Sequence, residues 1–348
     1  MTHPFLRIGL VGAGANTRAR HLPLLQRIPG VKVVLVANRS MASSQAVARE
    51  FGIAGVAQHW REVVAAPDVD AVVIGTWPYL HAEVTCAALA AGKHVLTEAR
   101  MAAQLVQAET MLVAARARPN LVAQVVPAPM SLDFDSTIVA RLPQLGTLRE
   151  VRVTHTSAQF ADPTMPLTWR QDFALSGVNT LMLGINYEMV LRWLGEDPLW
   201  VQADAAIFTR RRRRPEGGEG EVQIPESVSV LGRYAGGARL VMHCSSVEPG
   251  LPGHEIRLNG EGGALRLDLL AQQLWFAPVG GSETLVEVPA AERRGWRVEE
   301  DFVASMRTGK PVTLTDFATG VRYMRVTDAV WRSWSDRGAR IAVSSSGG

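Results

Sequence analysis

Five short apolar runs in the first 126 residues alternate with stretches of helical periodicity, and this alternation restricts the fold more than any other feature. The runs are Arg7 to Val11, Val31 to Ala37, Ala71 to Gly75, Val95 to Thr97 and Leu121 to Val126. None shows a regular polar alternation, so each reads as a strand covered on both faces. Helices are expected over Arg18 to Ile28, from Ser40 as N-cap to Phe51, and over Trp60 to Ala65, His81 to Ala91 and Leu105 to Arg118. Pro29-Gly30, Gly52, Pro67 and Gly92 stand where most of these helices stop. Strands and helices that alternate in units of roughly 30 residues pair in parallel through crossovers. The expectation is an α/β, doubly wound parallel sheet of the Rossmann type over residues 1–126.

The pattern changes after Pro127 and Pro129. A helix is expected near Ser136 to Leu142, a strand near Leu148 to Ser157, and an apolar helix from Asn179 to Leu194 that Gly195 closes. Strand-like runs then dominate from Leu199 to Phe276, with hairpin turns at Gly236-Gly237 and at Gly260 to Gly263. Two helices end the chain, near Glu299 to Met306 and Asp316 to Trp334. Residues 127–348 thus read as a second, α+β domain with a mainly antiparallel sheet. A chain of 348 residues has room for both cores.

Several function classes recede. No apolar run reaches about 18 residues, so no membrane span is expected. The N-terminus carries no basic segment followed by an apolar one, so no secretion signal is visible. The only cysteines, Cys86 and Cys244, make neither a disulfide framework nor a metal site and suit a reducing cytoplasm. Net charge is +3, with basic residues spread along the chain. The one cluster, Arg210 to Arg214, has no interleaved aromatic residues and reads as a solvated turn between two strands. No nucleic-acid partner is expected.

The first strand ends in Gly12-Ala13-Gly14-Ala15-Asn16-Thr17, directly before the first helix. Gly12 permits a tight turn, Gly14 lets backbone approach a pyrophosphate, and the helix start supplies N–H donors. Thr17 replaces the third glycine of the full fingerprint. Strand, glycine loop and helix together point to a nicotinamide dinucleotide. The end of the second strand selects its form. An acid there would bond the ribose 2′-hydroxyl of NAD, whereas this chain has Asn38-Arg39-Ser40. Arg39 can pair with a phosphate and Ser40 can donate to one, which favours NADP over NAD. The alternative leaves Arg39 as a solvated surface residue, with Asn38 holding the ribose of NAD.

Several segments together resemble the Gfo/Idh/MocA oxidoreductases, the relatives of glucose–fructose oxidoreductase and inositol dehydrogenase. They are Asp68 to Ile74 leading into Thr76-Trp77-Pro78-Tyr79-Leu80-His81; Ala91 to Glu98; Trp169-Arg170 with Ser176-Gly177; and Gly184 with Leu191 to Gly195. The resemblance covers nearly the whole chain. It implies a cofactor site that includes Thr76, Trp77, Pro78, His81 and Glu98, and an open-faced C-terminal sheet that forms a homodimer or homotetramer. It also implies hydride transfer to or from a small polar, sugar- or polyol-like substrate.

Three positions depart from the resemblance. Ala99 stands where the family has its lysine, Met182 where it has an aspartate, and Asn186 where it has a histidine. None of the three transfers a proton in the useful range. Candidate replacements are Arg170, Tyr187 and Arg100, with Asn186 as a hydrogen-bonding residue; His155 on an early strand of the second domain reads as a sheet-face histidine or as one facing the cleft. Two readings follow: an NADP-dependent oxidoreductase with an atypical proton-transfer set, or a dinucleotide-binding regulatory or partner subunit without turnover. A lyase or hydrolase that uses the nicotinamide only transiently is a third.

Overall fold

A computed structural model describes residues 5–250 and 252–343. The chain forms two compact units: residues up to Pro127 with Arg297–Val321, and Ala128–Trp296 with the residues from Arg322 onward. The first cut falls where the two prolines signalled a change. Residues 297–321, expected in the second domain, belong to the first unit. The reason is specific pairing: Val125 N–H donates to Thr315 O at 2.9 Å and Gln124 bridges Asp316, so the late segment continues an early sheet edge.

The first unit contains β1 (Leu6–Val11), α1 (Leu22–Arg27), β2 (Val31–Ala37), α2 (Met41–Phe51), β3 (Gly55–Val56), α3 (Trp60–Ala65), β4 (Ala71–Ile74), α4 (His81–Ala90), β5 (His94–Thr97), α5 (Leu105–Arg116) and β6 (Ala123–Val125). The strands form one sheet in the order β3-β2-β1-β4-β5-β6, and every pairing is parallel. β4 is buried along its whole length, as a central strand must be when crossover helices cover both faces. Local chemistry sets the helix ends. Ser40 caps α2 by accepting from Ser43 N, and Gly52 closes it at φ +64°. His59 caps α3 in a capping box with Glu62. The helix expected from Arg18 begins as a π-helical turn, Thr17–His21, before α1.

The second unit contains α6 (Asp135–Leu145), β7 (Leu148–Thr156), α7 (Phe173–Ser176), α8 (Leu183–Leu194), β8 (Trp200–Ala206), β9 (Arg211–Arg213), β10 (Glu219–Glu221), β11 (Ser227–Arg233), β12 (Arg239–Ser245), β13 (Gly253–Gly260), β14 (Gly263–Asp268), β15 (Gln273–Pro278) and β16 (Thr284–Val286). Then follow α9 (Val298–Thr308), which lies in the first unit, α10 (Phe317–Ser335), which crosses from the first unit into the second, and β17 (Ile341–Ala342). Nine strands form the sheet β16-β15-β14-β13-β7-β12-β11-β8-β17, antiparallel except where β7 meets β12. β11 alternates strictly, with Val228 and Val230 inward and Ser229, Leu231 and Arg233 outward, so one face packs and the other is open.

Two expectations are corrected here. α8 starts at Leu183, four residues later than expected, because the Asn179 side chain donates to Ser176 O at 2.6 Å and Leu181 has φ +48°. The basic run is also not a solvated turn. Arg211–Arg213 is a strand paired with β10, and the Arg212 side chain is fully buried. Among the described residues no helix is long and apolar enough to cross a membrane, and no His, Cys, Asp and Glu group is arranged to hold a metal ion.

Candidate functional site

Strand order in the parallel sheet reverses between β1 and β4, where such a sheet opens a crevice beyond its carboxyl ends. Gly12 sits there at φ +83°, and a Cβ on it would lie 2.6 Å from Thr76 Cγ2 and 2.8 Å from Thr76 N. Only glycine fits that conformation and that space. Thr17 is 1% exposed, and its hydroxyl donates to Gly12 O at 3.3 Å. The close approach expected of a third glycine has moved across to Gly75. A Cβ there would lie 2.1 Å from Thr17 Oγ1 and 2.3 Å from Gly12 O.

A cavity of about 550 Å³ opens at this point. Of the cofactor residues expected from the sequence, Gly12, Gly14, Asn38, Arg39, Ser40, Thr76 and Trp77 line it. Ala15, Asn16, Thr17, Pro78, His81 and Glu98 do not. Ser43, Gln58, His59, Trp60 and Tyr79 also line it and were not anticipated. The His59-x-x-Glu62 spacing ahead of α3 is a capping signal that could have drawn attention to this corner.

Asn38 is committed to the fold. Its Oδ1 accepts from Ala13 N at 2.6 Å, its Nδ2 donates to Ser43 Oγ at 3.0 Å, and its own N–H donates to Ser44 Oγ at 2.8 Å. Asn38 thus pins the glycine loop to the end of β2. Arg39 is exposed, with its guanidinium 5.8 Å from the centre of the Trp77 ring. Arg18 pairs with Glu50.

Beneath the loop lies a charged network that the sequence did not announce. His21 is fully buried between two carboxylates: its Nε2 lies 2.9 Å from Glu98 Oε1, and its Nδ1 bonds Glu299. Burial alone would lower its pKa, but the hydrogen bonds to Glu299 and Glu98 outweigh that and raise it to about 9. His21 is therefore an imidazolium at neutral pH. Burial likewise works to raise the Glu98 pKa, and its bonds with His21, Asn16 and Ala99 N hold it below the usual value. His81 is also fully buried, with Nε2 2.9 Å from Thr76 O and Nδ1 3.0 Å from Arg100 O. Burial keeps its pKa below the ordinary value, so it anchors the start of α4 as a neutral ring. Arg100 follows a cis peptide from Ala99 and is 6% exposed.

The second unit holds the remaining candidates. Tyr187 is buried and its hydroxyl donates to Asp197 Oδ1 at 2.7 Å. Burial raises its pKa well above the usual phenol value. Its phenol is thus committed to a core contact with Asp197, unlike the proton donor expected from the sequence. Asn186 is also fully buried: its Oδ1 accepts from His254 Nε2 at 2.8 Å and its Nδ2 faces Cys244 Sγ at 3.7 Å. Arg170 is exposed, stacked 4.4 Å from the Trp169 ring centre. The loop that carries it is tied down from behind. Arg212 Nη1 donates to Asp162 O and its Nη2 donates to Phe160 O and Glu226 Oε1, each at 2.8 Å. Gln171 Nε2 donates to the same Glu226 oxygen at 3.2 Å.

Residues 6–125 match the family model for the GFO/IDH/MocA oxidoreductases, NAD-binding Rossmann fold, and residues 142–266 match the GFO/IDH/MocA C-terminal domain. The chain belongs to this family. Among GFO/IDH/MocA relatives, levoglucosan dehydrogenase of Pseudarthrobacter phenanthrenivorans is 28% identical over 266 residues, which is 67% of this chain and 65% of that protein. The crystal structure of an oxidoreductase domain protein from Kribbella flavida superposes with a TM-score of 0.88 at 25% identity, over 99% of this chain and 100% of the other. A levoglucosan dehydrogenase in complex with NADH and L-sorbose has the same fold, with a TM-score of 0.85 at 22% identity over 97% and 99% of the two chains.

Proposed function

We propose that this GFO/IDH/MocA protein is an oxidoreductase that binds NADP(H) and transfers hydride to or from a small sugar- or polyol-like substrate. The observation that carries the reading is the cavity at the β1–β4 switch point, floored by Gly12 and Gly14 and flanked by Arg39 and Ser40 rather than by an acid. Gly12 lets the loop turn tightly against Thr76, and a glycine at position 14 lets backbone N–H groups approach a pyrophosphate. The Asn38 carboxamide is spent on Ala13 and Ser43, so it competes poorly for a ribose hydroxyl. Arg39 then supplies charge for a 2′-phosphate. Bound there, the cofactor would supply the nicotinamide carbon that accepts or donates hydride. The sugar class is supported by the substrate named for the levoglucosan relative.

Calorimetric titration with NADPH and NADH tests the cofactor assignment. Tighter NADPH binding is expected, with most of the preference lost in Arg39→Ala; tighter NADH binding refutes it. One observation favours the regulatory reading. Neither Ala99 nor Met182 carries a proton-transferring group, and Tyr187 is locked to Asp197. A protein that binds cofactor yet shows no absorbance change at about 340 nm with levoglucosan, myo-inositol or L-sorbose would support that role. Self-association is proposed through the open face of the nine-stranded sheet, where Leu231 and Leu285 are 45% and 49% exposed. Native mass spectrometry counts the subunits.

A further inference from the structure

Three serines gather at the start of α2: Ser40 and Ser43 line the cavity of the first unit, and Ser44 does not. A serine hydroxyl carries one hydrogen to donate and two lone pairs that accept. Ser44 has used its hydrogen. Its Oγ donates to Ser40 O at 3.2 Å and accepts from Asn38 N–H at 2.8 Å, in a fully buried position. Ser43 has not used its own. Its Oγ accepts from Asn38 Nδ2 at 3.0 Å, and it donates to no acceptor among the described residues.

The Asn38 carboxamide decides where that hydrogen goes. Ala13 contributes a backbone N–H, which can only donate, so the Asn38 atom 2.6 Å from it is the oxygen. The amide NH2 therefore faces Ser43. It too can only donate, so the Ser43 hydrogen turns away from it. Hydrogen bonds thus run in one sense, from Ala13 N–H through Asn38 to Ser43, and the last hydrogen in the chain is left for an acceptor in the cavity. No Asp or Glu lines that cavity, so its wall offers this hydrogen no carboxylate. An aspartate at position 38 would reverse the last step, because its second oxygen would accept from Ser43.

We propose that Ser43 is a specificity-determining residue of the cofactor site and donates its hydroxyl hydrogen to the ribose 2′-phosphate of NADP(H). The proposal rests on the NADP(H) reading above. An ionised phosphate offers charged oxygens that accept. The 2′-hydroxyl of NAD is neutral, and a hydrogen bond to a charged acceptor is worth roughly tenfold more in affinity than one to a neutral acceptor. Arg39 supplies charge from a long, exposed side chain. Ser43 supplies direction from a short one, fixed in the first turn of α2. Ser40, whose Oγ accepts from Ser43 N–H at 3.3 Å, keeps a hydrogen for the same phosphate. Asn38 then favours NADP twice over: it brings no negative charge, and it sets the polarity of the chain that ends at Ser43.

Calorimetric titration of the full chain with NADPH and with NADH tests this without any need for turnover. Ser43→Ala is expected to weaken NADPH binding about tenfold and to leave NADH within about threefold. Ser43→Thr keeps the hydroxyl and should hold both affinities within about threefold of wild type. Phosphorus NMR of bound NADP+ gives a second readout: Ser43→Ala should move the 2′-phosphate resonance and leave the pyrophosphate pair in place. Equal losses for the two cofactors in Ser43→Ala overturn the role, as does NADPH binding within about twofold of wild type or an unmoved 2′-phosphate resonance. If Arg39→Ala removes the NADPH preference while Ser43→Ala preserves it, the NADP(H) reading stands without Ser43. If wild type itself binds NADH more tightly, that reading fails first and this role falls with it. Should Ser43→Ala fold poorly, Ser43→Cys takes its place, since a thiol is a weak donor and the same loss of NADPH affinity is expected.

Discussion

His21 offers a direct electrostatic test of the cofactor-loop architecture. A histidine whose pKa rises from 6.5 to about 9 on folding stabilises the folded state through its charge. The sign follows from proton binding. Below pH 6.5 the ring is charged in both states and the whole contribution is present. Between 6.5 and 9 the unfolded ring is neutral while the folded one stays charged, so stability falls steadily with rising pH. Above 9 this group contributes no further change. The shift corresponds to about 3 kcal/mol lost across the interval. For a unit of this size, each kcal/mol moves the melting temperature by about 2–4 °C, so a fall of roughly 6–12 °C is expected. Scanning calorimetry at pH 6.5 and 9, on wild type and on His21→Gln, reads it. The variant should start lower at pH 6.5 and change much less by pH 9. Parallel pH dependence in the two proteins would refute a buried imidazolium at this position.

Three further outcomes follow from the geometry. Gly75→Ala puts a Cβ 2.1 Å from Thr17 Oγ1 and 2.3 Å from Gly12 O, and overpacking of that kind costs about 1–3 kcal/mol. NADPH affinity should fall by at least about tenfold, and Thr17→Gly should restore it only in part, because the Gly12 carbonyl remains in the way; full restoration, measured by calorimetry, would contradict this packing. Arg212→Met leaves Glu226 buried without its charged partner, a loss of about 3–5 kcal/mol readable by urea unfolding, with faster proteolysis between residues 157 and 171. Tyr187→Phe should leave activity on any turned-over probe within about threefold while it lowers stability by about 1 kcal/mol, since the hydroxyl serves only Asp197.

The parallel sheet was legible because its signal is local: apolar strands, glycine stops and the Ser40 cap all act within a few residues of one another. The glycine loop was legible for the same reason, and Thr17 stood out as an irregularity. Its compensation at Gly75 was not legible, because it depends on two strands and a helix meeting in space. Likewise Arg212 sits in a run of five basic residues that looks uniformly solvated, and only the fold shows that one of the five points inward to Glu226. Asn186 stood out in the sequence as the residue at the family's histidine position. Its partners, Cys244 and His254, lie 58 and 68 residues away, beyond any periodicity argument.

The late return of residues 297–321 to the first unit has a bearing on synthesis. The glycine loop, the parallel sheet and most of its helices leave the ribosome early. The partners that complete them, Glu299 for His21 and Thr315 for the edge of β6, follow only after the whole nine-stranded sheet except β17 has been made. At about 5–20 residues per second the nascent first unit waits on the order of 10–30 s with an unpaired strand edge and a half-neutralised buried histidine. A gene truncated after Pro127 would make that wait permanent. The cofactor domain of this protein is therefore a poor candidate for excision as an N-terminal fragment, and a better one for circular permutation that joins residues 297–321 directly to β6.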